Sequence, residues 1–338
     1  MSRRGPCFFK PETSLGKCDI KCCLVRAAFA VVANGFCLSW RIVFSSEALL
    51  ALITRFDPWR SSLCTCPPKL TFNPYTGCDH ACVYCYASSY IPRFADCRPK
   101  KDLLRRLQRE ALKLKGEIVS IANSSDPYPR LEAEIGLTRG CLKILARSIC
   151  RIQVITKSSL VTRDADLLRE VPSTVAVTIT TDDDAKARVI EPFAPSSTER
   201  LKTVGTLISK GIPVSVRVDP LIPFVNDDTE SLIDALASLG VKHVTSSTFK
   251  IRRDSWRRFA LAMPEIAEKL KPLYFGEGEE VGGYVLLPEA VRVKILSTVR
   301  SLALARGLGF GVCRENLSQL NTAACDGSWL MPSKARGA

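Results

Sequence analysis

From Phe56 onward the chain alternates short apolar, β-branched runs with helical stretches, about six times over. KLTFNPY, EIVSIANSSDP, RIQVITKSS, STVAVTITT, IPVSVRVDPLIP and VKHVTSSTF read as strands. Between them lie RPKKDLLRRLQREALKLKG, with Leu103, Leu104, Leu107, Ala111 and Leu112 on one face, then TRGCLKILARSIC, TRDADLLREV, SSTERLKTVGTLISKG and DTESLIDALASLG. Strands separated by helices cannot be hairpins, so the sheet is predicted parallel with right-handed crossovers. Nearly continuous apolar strands suit helices on one face and a filled interior on the other. Six units fall short of the eight of a closed barrel. A partial barrel and an open doubly wound sheet both satisfy this α/β pattern.

Polar residues gather where these strands end: Ser124, Ser125 and Asp126; Thr156, Lys157 and Ser158; Thr180 and Thr181; Arg217 and Asp219; Ser246, Ser247 and Thr248. Parallel sheets and barrels build their sites at that edge. The organisation divides into an N-terminal extension (1–55), the strand–helix core (56–250) and a C-terminal, α-rich segment with a cysteine-containing tail (251–338).

The first strand runs into NPYTGCDHACVYCYA, which places Cys78, Cys82 and Cys85 within one short loop. Three thiolates at this spacing can hold three corners of a [4Fe–4S] cube and leave the fourth iron open to substrate or cofactor. The alternative is zinc, which needs four ligands; His80 lies inside the motif and His243 far along the chain, so neither completes a site readily. Fifteen cysteines in a chain of 338 residues do not describe a short disulfide-stapled secreted protein, and their odd number forbids complete internal pairing. An intracellular, cytoplasmic protein with metal-binding thiols is expected. Leu24–Trp40 is the nearest approach to a membrane segment, but it is short and Arg26 and Asn34 interrupt it, so no membrane partner is expected.

The run CDHACVYCY resembles the signature of the radical S-adenosylmethionine (radical SAM) superfamily, three cysteines with an aromatic residue before the last. More narrowly, NPYTGCDHACVYCYA, ANSSDPYP, VITKS and VSVRVDPLIP resemble the spore photoproduct lyase-like (DNA repair photolyase-like) group. The resemblance covers Phe56 to the C-terminus. It implies a partial (β/α)6 TIM-like barrel of parallel strands, a [4Fe–4S] cluster and S-adenosyl-L-methionine (SAM) as cofactors, and reductive cleavage of SAM to a 5′-deoxyadenosyl radical that abstracts hydrogen from substrate. It implies Cys78, Cys82 and Cys85 as cluster ligands, Tyr84, Ser125, Lys157 and Thr180 as SAM contacts, and Tyr86 as a hydrogen-atom relay. Four of these have a plainer reading: a turn cap for Ser125, a solvated strand end for Lys157, a strand residue for Thr180, packing for Tyr86. The resemblance also implies a reductant protein such as ferredoxin or flavodoxin. In the spore lyase a cysteine just ahead of the Ser-Asp pair returns a hydrogen atom to the product. Asn123 stands at that position here, so repair of thymine photoproducts is not expected.

The net charge of +14 favours anionic partners. Arg98, Lys100, Lys101, Arg105, Arg106 and Arg109 follow the motif, and Arg252, Arg253, Arg257 and Arg258 flank Trp256. Arginine interleaved with an aromatic suits phosphates and bases, though a solvated helix face uses the same residues. Nucleic acid is therefore the leading substrate; a peptide or small metabolite is the alternative within the same chemistry, and a non-catalytic zinc- or cluster-binding nucleic-acid module the alternative outside it. Arg217 and Asp219 are expected to form an ion pair at the barrel mouth. Cys64, Cys66, Cys313 and Cys325 converge on a second metal site only if the loop before the first strand packs on the tail; otherwise they are inert thiols.

Overall fold

The computed structural model describes residues 51–56, 63–121 and 123–333. Most of the N-terminal extension, with Leu24–Trp40, lies outside the described residues. Among those described, seven parallel strands form the main sheet: β1 (Leu70–Phe72), β2 (Ile118–Ile121), β3 (Arg151–Thr156), β4 (Ser173–Thr178), β5 (Val214–Leu221), β6 (His243–Thr248) and β7 (Gly309–Val312). Neighbours in the sheet are neighbours in sequence, and every pair among them is parallel. A doubly wound sheet reverses strand order at a switch point. This one never does, so the chain winds in one direction as in a barrel, and the partial TIM-like barrel is the fold. Thr54–Arg55 adds a short antiparallel edge to β1.

The crossovers carry α1 (Leu103–Ala111), α2 (Leu137–Leu145), α3 (Ala165–Arg169), α4 (Asp184–Ile190), α5 (Ser197–Ser209) and α6 (Glu230–Ser238). In α1, Leu103, Leu107 and Ala111 are buried as their spacing predicts. Leu112 is exposed because the helix ends at Ala111, and Leu104 is half out of the core. The predicted pattern omits α4. Its polar run DDDAKAR is helical because the Asp183 carboxylate caps it, accepting from the Ala185 and Lys186 backbone N–H groups at 2.8 and 3.1 Å. Ser196 caps α5 in the same way.

The C-terminal segment contributes α7 (Arg253–Ala262), α8 (Pro264–Phe275), a hairpin of Glu279–Val281 with Tyr284–Leu286, and α9 (Glu289–Ala305). It also supplies β7, which the predicted pattern of six units lacks. The run GLGFGV hides a strand because glycine leaves little to read. Gly311 has to be glycine: a β-carbon there would lie 2.5 Å from the Cys325 α-carbon, because the tail crosses β7 at that point.

Beyond β7 the tail turns back into the lower barrel. The Cys325 carbonyl accepts from Thr245 Oγ1 at 2.7 Å, and Gln153 Nε2 donates to the Asp326 carbonyl at 2.9 Å. Asp326 pairs with Lys69 at 2.7 Å, both side chains nearly water-free. Trp329 Nε1 donates to His243 Nδ1 at 3.2 Å. Burial pushes the His243 pKa down to about 4, and a proton on Nδ1 would oppose the indole N–H. The unfolded histidine takes up its proton near 6.5, so it does so before the folded one. Stability from this site is whole above roughly pH 6.5 and is lost as pH falls toward about 4. The substitution His243→Gln is expected to flatten the pH dependence of urea-unfolding stability across that interval.

Candidate active site

The loop between β1 and α1 holds the three cysteines, and its shape is set by backbone contacts. Gly77 adopts φ +85°, and a β-carbon there would lie 2.5 Å from the Phe94 carbonyl oxygen. The next residue donates to that same carbonyl, Cys78 N–H to Phe94 O at 2.8 Å. Val83 N–H donates to the Ile190 carbonyl at 2.9 Å and Phe193 N–H to the His80 carbonyl at 3.2 Å, so the loop rides on the C-terminal end of α4. From the other side, Arg258 of α7 donates to the Cys85 carbonyl and, at 2.8 Å, to Ser88 Oγ. Ser88 in turn donates to Asp254.

All three cysteines are free thiols; Cys78 and Cys82 are buried and Cys85 half-buried. Burial pushes each of them up, Cys82 to about 12. Thiols in this setting ionise when a cationic centre binds them. No three His, Cys, Asp or Glu side chains among the described residues converge on a single ion. Zinc requires such convergence, whereas an iron–sulfur cube gives each thiolate its own corner. His80 does not complete the set. Its Nδ1 faces Asp126 Oδ2 at 3.6 Å, and burial lowers its pKa.

Beneath the loop lies a charged cluster centred on the fully buried Glu191. Tyr84 Oη donates to Glu191 Oε1; Arg200 meets Glu191 Oε2 at 2.5 Å; Lys157 Nζ lies 3.8 Å from Glu191 Oε1. The Glu191 and Arg200 side chains are 0% exposed, so both charges depend on this pairing. Lys157 also lies 5.6 Å from the Tyr84 ring centroid. Burial opposes its charge, but Cys82 and Glu191 outweigh burial and raise its pKa. The same balance, burial against Arg200 and Lys157, lowers that of Glu191.

The structure thus gathers Cys82, Tyr84 and Lys157 at one place. Ser125 is buried just beyond β2, where Asp126 shapes the turn by accepting from the Tyr128 N–H, Thr156 Oγ1 and the Lys157 N–H at 2.9, 2.6 and 2.7 Å. Thr180, beyond β4, is fully buried, and its hydroxyl has no hydrogen-bond partner in the protein. An orphaned buried hydroxyl costs about 1–3 kcal/mol unless a ligand or water satisfies it. Three ionisable thiols and that open hydroxyl fit an iron–sulfur cluster with an organic cofactor.

Tyr86 is 36% exposed and belongs to a rim cluster. Its ring lies 6.2 Å from that of Tyr90 and 5.8 Å from that of Tyr284, and the Arg252 guanidinium lies 4.2 Å from the Tyr284 ring centroid. Its hydroxyl points to the Asn123 carbonyl at 3.4 Å. Asn123 joins β2 to β1 through Thr71 Oγ1 and Asn73 Oδ1. Arg217 and Asp219 form the expected pair, extended by Ser247 donating to Asp219. Trp256 packs edge-on against Tyr274 and Phe275, at 5.6 and 5.1 Å between ring centroids, rather than standing free between its arginines.

Sequence reasoning missed Glu191 and Arg200, and read Arg258 as part of a basic surface rather than as a support of the cysteine loop. None stands in a motif; an acidic residue after the apolar VI of α4 was the one available signal for Glu191. Replacing it by glutamine leaves Arg200 and Lys157 buried without their counter-charge. Glu191→Gln is expected to lose about 3–5 kcal/mol, read as a lower urea midpoint at an unchanged m-value.

Residues 72–236 match the family model described as the radical SAM superfamily. An uncharacterised protein of Mycobacterium tuberculosis is 29% identical over 233 residues, covering 62% of this chain and 68% of the relative. One of Methanocaldococcus jannaschii is 32% identical over 166 residues, covering 47% and 62%. Among solved structures, spore photoproduct lyase complexed with a dinucleoside spore photoproduct superposes with a TM-score of 0.56 at 16% identity, covering 70% of this chain and 74% of that one. A mutant of that lyase with bound SAM and the same dinucleoside superposes with a TM-score of 0.56 at 15% identity, covering 76% and 79%.

Proposed function

We propose that this chain, whose residues 72–236 match the radical SAM superfamily model, is a radical SAM enzyme in which Cys78, Cys82 and Cys85 hold a [4Fe–4S] cluster through three thiolates and the barrel mouth beside them takes SAM and a nucleic-acid substrate. The observation that carries this reading is the seating of three free thiols on one loop over the Glu191 cluster. When bound, the cluster and SAM would supply the hard chemistry, one-electron reductive cleavage of SAM for hydrogen abstraction from substrate.

The protein's own residues position and shield. Lys157 keeps its positive charge under burial and is assigned to the SAM carboxylate. The Tyr84 hydroxyl is committed to Glu191, so its ring and backbone are what remain for adenine. The open Thr180 hydroxyl is assigned to the ribose and Ser125 to the SAM end nearest β2. Tyr86, at the rim with its hydroxyl over Asn123, is assigned to hydrogen-atom relay. A one-electron donor of the ferredoxin or flavodoxin kind is the proposed partner.

Nucleic acid is favoured by the rim. Tyr86, Tyr90 and Tyr284 with Arg252 give aromatic faces and a cation where a base and its phosphate would sit. The solved spore photoproduct lyase binds a dinucleoside. Anaerobic reconstitution with iron and sulfide, reduction and addition of SAM is expected to yield 5′-deoxyadenosine, and Cys82→Ala to reduce it to background. A loaded, reducible cluster that yields none, with or without oligonucleotides, would sink the enzymatic reading. Separately, Tyr284→Ala is expected to weaken oligonucleotide binding by about 1–3 kcal/mol, and binding should fall steeply with salt. Salt-insensitive binding, or none, would turn the search to peptides and small metabolites.

A further inference from the structure

The barrel floor carries a second set of thiols, remote in sequence from the cluster motif. Cys66 lies in the loop that leads into β1, and Cys325 lies in the tail that enters the lower barrel. Their sulfurs are 3.5 Å apart across a separation of 259 residues. Cys64 adjoins Cys66, and Cys313 acts electrostatically on Cys325. No three such side chains among the described residues converge as ligands of a metal ion. The loop before β1 does pack on the tail, as the second metal site considered from sequence required, but among the described residues the close approach is that of a pair. Both partners are held from behind: Cys325 by the Thr245 bond to its carbonyl, and Cys66 by the short path to Lys69, which is tied to Asp326 and, at 2.9 Å, to Gln153. A disulfide needs the sulfurs to close by only about 1.5 Å, to near 2.05 Å.

We propose that Cys66 and Cys325 are a disulfide-forming pair, and that their oxidation by a low-molecular-weight disulfide staples the C-terminal tail to the floor of the barrel. Cys66 is half-buried beside the exposed Thr65, while Cys325 is 2% exposed. The small disulfide therefore reaches Cys66 first. The Cys66 sulfur displaces one small thiolate and forms a mixed disulfide. The Cys325 sulfur then attacks the Cys66 sulfur and expels nothing but the second small thiolate. Two protein thiols lose two electrons and two protons, and one small disulfide becomes two thiols.

The staple ties the loop before β1 to the C-terminal tail where the tail already packs on the barrel, so it forms without displacing the cysteine loop above. The test uses the cluster-loaded protein, titrated without oxygen with oxidised glutathione, then denatured, alkylated and digested without reductant. Mass spectrometry is expected to find the Cys66 and Cys325 peptides joined, lighter by two hydrogens and separated by reductant. The oxidised protein should melt a few degrees higher than the reduced one, and Cys325→Ser should abolish the difference. Recovery of both cysteines alkylated, or each capped by glutathione, overturns the proposal. So does zinc or iron beyond the cluster's own that is lost in Cys66→Ser, since it would make these thiols metal ligands. The cross-link is read without SAM cleavage, so its failure and that of the proposed function are separate results.

Discussion

The cysteine loop depends on one buried carboxylate. Glu191 is out of contact with water and faces Arg200, Lys157 and the Tyr84 hydroxyl. Alone, any of these charges would be expelled or neutralised at this depth; together they satisfy one another. The consequence is positional. Tyr84 stands between the second and third cysteines, so fixing its hydroxyl fixes the middle of the loop. Val83, one residue earlier, is fixed by its N–H to Ile190, the residue that precedes Glu191. A single turn at the end of α4 thus holds the loop by backbone and side chain at once. The same carboxylate keeps Lys157 charged, which joins the seating of the loop to the electrostatics of the site.

The C-terminal segment is tied to the same loop. Cys82, Val83 and Tyr84 share a hydrophobic cluster with Phe249, Phe259, Leu270 and Tyr274, separate from the core under the barrel helices. Arg258 reaches from α7 to the Cys85 carbonyl. Trp256, Phe259, Tyr274 and Phe275 stack among themselves and stiffen that support. Ala81, between the first two cysteines, has φ +53°, a conformation that L residues with side chains adopt at a cost. Anchors on both flanks hold it there.

Much of this was legible in the residues, and the gaps have physical causes. Parallel strands announce themselves because they are apolar on both faces, and six of the seven were read from that property. The seventh escaped because Gly309 and Gly311 leave no side chain to count. Helix α4 escaped because its capping aspartate looks like loop chemistry. Cys78, Cys82 and Cys85 were readable from local spacing, and Tyr84 and Lys157 from the resemblance. Their common partner, Glu191, was not, because an ion pair between distant residues leaves no periodic trace. Trp256 was legible as an aromatic among arginines, but its edge packing on Tyr274 and Phe275 was not, since those contacts lie a helix away.

The two ends of the barrel are built on opposite terms. At the N-terminal ends of the strands, Lys69, Gln153 and His243 are each met by the tail, through Asp326, the Asp326 carbonyl and Trp329. These three groups are paired within the protein, while the buried Ser215 hydroxyl beneath Gly327 is not. At the C-terminal ends, Asp126 and Asp219 are also paired, yet Thr180 keeps an unsatisfied hydroxyl and Tyr86 remains half open to solvent. Barrels commonly divide labour this way, stability below and chemistry above. Here the division has a specific agent. The tail fills the lower interior, so the space a ligand can use is confined to the end where the cysteine loop sits.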